Sequence, residues 1–148
     1  NSKNNYNNHY VTSVFSDVTD DYEKAHLIFD WIFENVQYAN DLSQMPWIDP
    51  WDVFTYKYAV CGGYSNLYKA MLNSVDIPSV LVSGDTIWGA HIWNAVYANE
   101  KWFYSDATWG GDYFDIGTEQ FLLDHTPLKV QGLTLETKDG IFIKNIYF

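Results

Sequence analysis

The hydrophobic pattern changes period part-way along the chain, and the break at Pro78 separates a helical part from a stranded part. Before it, Ala25, Ile28, Phe29, Ile32, Phe33 and Val36 recur at helical spacing. Asp20, with Glu23 three residues on, fits a capping box that starts this helix, predicted over roughly 21–36. Tyr64, Leu67, Tyr68, Met71 and Leu72 form a second apolar face, which predicts a helix from Cys61 to about Ser74. Gly62 and Gly63 loosen its start. Between the two helices, residues 40–52 read as a loop stiffened by Pro46 and Pro50 and carrying Trp47 and Trp51. After Pro78, Val80–Val82 reads as a buried strand, and residues 91–98 and 102–105 as two strands joined at Asn99-Glu100 by a short hairpin turn. A short helix at 118–123 and two strands flanking Lys138-Asp139-Gly140 complete the pattern. Helices first and antiparallel strands afterwards predict an α+β domain with helices on one side of a sheet.

The length of 148 residues suits one domain, taken as 20–148, and the low-complexity run from Asn1 to Asn8 makes 1–19 a linker and lead-in. Aromatic residues make up 19% of the chain, enough to fill a small core and wall a groove. No run of eighteen apolar residues occurs, so this segment is not expected to insert in a membrane. A net charge of −11 argues against nucleic acid as a partner, because both surfaces are anionic. The chain starts at Asn1 rather than Met and has an Asn-rich lead-in, which suggests a piece of a longer product, extracellular or attached to the cell envelope. One cysteine allows no internal disulfide, and His9, His26, His91 and His125 are too scattered for a zinc motif.

That cysteine, Cys61, falls at the predicted start of a helix, where the unpaired N–H groups and the dipole favour a thiolate. The glycines after it leave room for a substrate backbone, and the same N–H groups could bind a developing oxyanion. A thiol nucleophile needs a base, and the base needs an orienting group. With a two-residue turn at Asn99-Glu100, Ala98 faces Lys101, Trp93 faces Asp106 and His91 faces Thr108. His91, Trp93 and Asp106 then share one face, and His91 and Asp106 become diagonal neighbours about 7–8 Å apart. A slip of one residue would put them on opposite faces. Each residue alone has a commoner structural role: a small buried hydrophobe for Cys61, a satisfied histidine for His91, a strand-ending turn for Asp106. Cys, His and Asp in this order keep a papain-style thiol site open. A zinc site on the same three residues lacks a fourth ligand and a close pair of histidines.

Four consecutive segments resemble the transglutaminase-like superfamily. They are Val60-Cys61-Gly62-Gly63-Tyr64-Ser65 before a helix, Asp76-Ile77-Pro78-Ser79 leading into a strand, Ala90-His91-Ile92-Trp93-Asn94-Ala95-Val96, and Trp102-Phe103-Tyr104-Ser105-Asp106-Ala107-Thr108-Trp109. Asp76 and Ser79 depart from the family's usual Gly and Ala, away from the proposed chemistry. The likeness covers about residues 20–125. It implies a papain-like, transglutaminase-core fold, with N-terminal helices and a cysteine at a helix N-terminus packed on an antiparallel sheet. It also implies a triad of Cys61, His91 and Asp106 acting on peptide or side-chain amides of a protein substrate through a thioester, with no cofactor. Water would resolve that thioester in hydrolysis, and an amine in cross-linking. Trp47 and Trp51, through their indole N–H groups, and the Cys61 backbone N–H are the candidate oxyanion donors. Trp93 and Asn94 are expected to shape the cleft, and Tyr64 to pack beneath it. The alternative is a binding or scaffold module that keeps the fold without turnover.

Overall fold

Helix α1 (Asp21–Asn35) begins where Asp20 accepts the Glu23 N–H at 2.8 Å, and it buries Ala25, Ile28, Phe29 and Ile32 along one side. The computed structural model describes residues 10–134 apart from 16, 42 and 132. The strands expected around Lys138-Asp139-Gly140 lie outside these residues. Part of the lead-in packs on the domain: a turn of helix at 10–14 brings Val11 and Phe15 into the core beside α1.

A short strand β1 (Gln37–Tyr38) follows α1 and pairs in parallel with β2 (Tyr58–Ala59). Between them the chain forms helix α2 (Pro50–Tyr56), where a loop was expected. The cause is local: Asp49 accepts the Trp51 and Asp52 N–H groups, and Pro50 occupies the first turn, where no N–H is needed. Lys57, in the left-handed region at φ 59°, ends it. Helix α3 (Cys61–Ser74) starts at the cysteine and buries Tyr64, Leu67, Tyr68, Met71 and Leu72, as its periodicity requires. Gly63 is needed there, because a Cβ would lie 2.6 Å from both the Ala59 Cβ and the Trp47 carbonyl.

The remaining strands form one antiparallel sheet in the order β5-β4-β3-β6-β7. Strands β3 (Ser79–Thr86) and β4 (Gly89–Ala98) form a hairpin, and β4 pairs with β5 (Lys101–Ser105). Ala98 faces Lys101 and Asn94 faces Ser105, the register read from the sequence. Asn99 and Glu100 turn at φ 53° and 62°, the positive pair that a type I′ hairpin needs. After β5 come a 3₁₀ turn (Gly111–Phe114), a short helix α4 (Thr118–Phe121), β6 (His125–Val130) and β7 (Leu133–Thr134). β6 pairs with β3 through a register shift at Ser83/Gly84, which is where Pro127 fits into the ladder. The helices cover one face of the sheet around Val96, Ala98 and Phe103. Val82, Trp93, Ala95 and Tyr104 gather with Phe121 and Val130 in a second cluster.

Candidate active site

The start of α3 differs from those of α1 and α2. Its N-cap residue, Val60, makes no side-chain hydrogen bond, whereas Asp20 and Asp49 cap the other two helices. The first N–H groups of α3 are therefore not claimed by a side-chain cap, and that of Gly62 is directed to the cysteine itself. Cys61 is partly buried. Burial alone would raise its pKa, but the adjoining His91 imidazole and the Ile92 and Gly62 backbone N–H groups outweigh burial and lower it.

His91 comes from the first half of β4, and Asp106 follows directly on β5. The His91 Nε2 lies 2.8 Å from Asp106 Oδ2, so Nδ1 is the ring nitrogen left for the sulfur. Burial would push the His91 pKa down; the hydrogen bonds and charges of Asp106 and Cys61 prevail and raise it to about 9. Asp106 is fully buried, yet its pKa is lowered, because His125 and His91 overcome the cost of burial. Its second oxygen, Oδ1, accepts the Thr108 and Trp109 N–H groups at 3.1 and 3.2 Å. The carboxylate is thus held from both sides. A thiol, an imidazole and a carboxylate stand in line, with the proton favoured on the ring rather than on the sulfur.

An open cleft of about 330 Å³ lies over Cys61 and His91, walled by Tyr38, Trp88, Thr108 and Trp109. Tyr64 packs beneath, its hydroxyl donating to the Val36 carbonyl at 2.8 Å. Trp51 is buried in the helical core, and Trp47 stacks on Tyr56 with ring centroids 4.4 Å apart; neither is among the residues that line the cleft. The helix α2 that the sequence concealed draws both into its own packing. Trp93 is fully buried behind His91, with ring centroids 6.0 Å apart. Asn94 is also fully buried, and its Nδ2 donates to the Ser65 carbonyl at 3.1 Å and to Ser79 Oγ at 3.3 Å. It ties β4 to the cysteine helix instead of shaping the cleft.

Two features were not legible in the sequence. The cleft walls Tyr38, Trp88 and Trp109 come from three separate segments, and of these only Trp109 falls in one of the four family-like segments. In the sequence His125 is one scattered histidine among four. The structure corrects that, placing its Nε2 2.8 Å from the same Asp106 Oδ2 that His91 uses. Among the described residues, His91, Asp106 and His125 are the one group with ligand atoms close enough for an ion. Their 2.8 Å nitrogen–oxygen spacings are hydrogen-bond lengths, and the other Asp106 oxygen is taken by two N–H groups, so the group is a hydrogen-bonded relay rather than a metal centre.

The family model of the transglutaminase-like superfamily matches residues 8–107, which include all three residues of this line. The chain belongs to that superfamily. Kyphoscoliosis peptidase of Mus musculus is 26% identical over 129 residues, covering 77% of this chain and 20% of that protein. The chain therefore spans about a fifth of the length of this curated relative. Among solved structures, a candidate cysteine protease from Cytophaga hutchinsonii superposes with a TM-score of 0.69 at 20% identity, over 86% of this chain and 42% of that one. A TGase superposes with a TM-score of 0.61 at 18% identity, over 71% and 31%. These likenesses show the fold: a transglutaminase-like, papain-like α+β domain with its cysteine at a helix N-terminus against an antiparallel sheet.

Proposed function

We propose that this domain is a thiol enzyme that opens peptide-type amide bonds through a thioester on Cys61, with hydrolysis as its main outcome. The observation that carries this reading is the line from Cys61 through His91 to Asp106, with the thiol pKa lowered and the imidazole pKa raised. Such a pair stores a nucleophile and an acid together at neutral pH. In the forward step the sulfur attacks the substrate carbonyl. The charge growing on its oxygen meets the backbone N–H of Cys61 at the uncapped start of α3. Nδ1 of His91 then hands its proton to the departing amine while Asp106 keeps hold of Nε2. Water, activated by the same nitrogen, releases the acid and restores the thiol. The open cleft favours water at that stage, whereas transfer to a lysine would need it excluded. The peptidase and protease names of two relatives support the hydrolytic branch, and the TGase neighbour supports the transfer branch.

A peptide library incubated with the wild type and with Cys61→Ala, with and without an added primary amine, tests the reading. Cleavage by the wild type alone is expected, with little product joined to amine. Asp106→Asn should slow turnover on the order of 10²–10⁴-fold, because the ring loses its fixed tautomer. Full turnover by Cys61→Ala would remove the mechanism.

A further inference from the structure

His125 is buried, lies outside the cleft and sits beyond the residues that the family model matches, yet it is bound into the site. Four aromatic rings hold it. Phe121 stacks on the imidazole at 3.9 Å between centroids, and Trp109, Trp93 and Tyr113 stand at 4.3, 5.0 and 5.6 Å. This packing fixes the plane in which the ring presents its two nitrogens. Its Nε2 lies 2.8 Å from Asp106 Oδ2, and its Nδ1 lies 2.7 Å from Asp124 Oδ1. The Tyr113 hydroxyl donates to the other oxygen of Asp124. Asp106, Asp124 and Tyr113 are the titratable groups bonded to it or to its partners from the elements packed around it, and the His91 ring stands 5.9 Å away.

The hydrogen count is informative. An ionised carboxylate only accepts, and a neutral imidazole donates from one nitrogen. Both short contacts of His125 face carboxylate oxygens, so the His125–Asp124 pair must hold one proton more than a neutral ring beside a carboxylate does. The pair then turns an N–H with positive character toward Asp106. Oδ2 of Asp106 therefore divides its charge between two imidazoles instead of serving one.

We propose that His125 is a positioning residue of the thiol site, bridging Asp106 to Asp124 and setting how tightly Asp106 holds the imidazolium of His91. The proposal rests on reading Cys61, His91 and Asp106 as the catalytic line. It makes the site a chain of alternating charge running from the sulfur into the protein, whose inner end tempers its outer end.

Imidazole nitrogen NMR on the full chain, paired with iodoacetamide labelling of Cys61 across pH, tests it. In the wild type, His125 is expected to show hydrogens at both ring nitrogens. His125→Gln keeps a donor toward Asp106 but cannot hold the additional proton, so the His91 midpoint should rise by about one pH unit. Asp124→Asn, at a side chain 21% exposed and easier to accommodate, should move it the same way by less. A His91 midpoint unmoved, or moved downward, in the variants that fold would overturn the proposal, as would a single ring hydrogen on wild-type His125. Labelling keeps this result apart from the catalytic reading. A wild-type thiol inert below pH 8 would sink the latter, whereas a reactive thiol with an unmoved His91 midpoint sinks only the role of His125.

Discussion

At the scale of single residues, folding lowers the thiol pKa and raises the imidazole pKa, and that has a measurable signature. Around pH 7.5 the unfolded chain carries its proton on Cys61, whose ordinary value is 9.0, and little on His91, whose ordinary value is 6.5. His91, raised to about 9, adds stability that is present below pH 6.5 and is lost as the pH climbs through about 9. Cys61, lowered, acts in the opposite sense: its share is present above pH 9.0 and is lost as the pH falls through its folded value. The two slopes oppose each other, so the pair varies less with pH than His91 alone would. Cys61→Ser removes the opposing share. His91, still raised by Asp106, then contributes fully below pH 6.5 and loses that contribution as the pH climbs through its folded value. The urea midpoint should fall more steeply between pH 6.5 and 9 in Cys61→Ser than in the wild type; parallel curves would count against the coupling. The three residues of the line could be found in the sequence because each stands at a landmark: a helix start, a strand and a strand end. His125 could not be, since its neighbours come from β4, the segment after β5, the 3₁₀ turn and α4, and adjacency in the chain supplies only Asp124.

At the scale of elements, the β4–β5 hairpin carries the register on which His91 and Asp106 depend, and its turn is strained. Glu100 sits at φ 62° with a side chain that the left-handed region penalises. Glu100→Gly should raise stability by about 0.5–1 kcal/mol, read from thermal or urea unfolding, without altering thiol labelling. A loss of stability would mean that the turn is not of the I′ kind. Gly84 stands at the opposite extreme: a Cβ there would come within 2.0 Å of the Thr126 carbonyl, so β6 would have to move. Gly84→Ala should cost about 1–3 kcal/mol and, by shifting the start of β6, disturb the His125 ring resonances before those of α3. The hairpin was legible because turn length and alternation together admit one register. β6 was not, because Pro127 and a register shift break the alternation that marks a strand. Helix α2 did have a local signal in Asp49-Pro50, but the two tryptophans and Pro46 around it read more strongly as a loop.

At the scale of the whole molecule, Cys61 belongs to the helical layer and His91 to the sheet, so the candidate site exists only where the layers meet. Asn94 fastens them, donating to the Ser65 carbonyl one turn beyond the cysteine. Asn94→Leu should cost about 1–3 kcal/mol by removing the buried hydrogen bonds to the Ser65 carbonyl and Ser79 Oγ, and should slow iodoacetamide labelling of Cys61 in protein that is still folded. Unchanged labelling in such a variant would show that the layers hold their spacing without the amide. If Cys61 is activated as proposed, the labelling rate of this one sulfur reports how closely helix and sheet stay together.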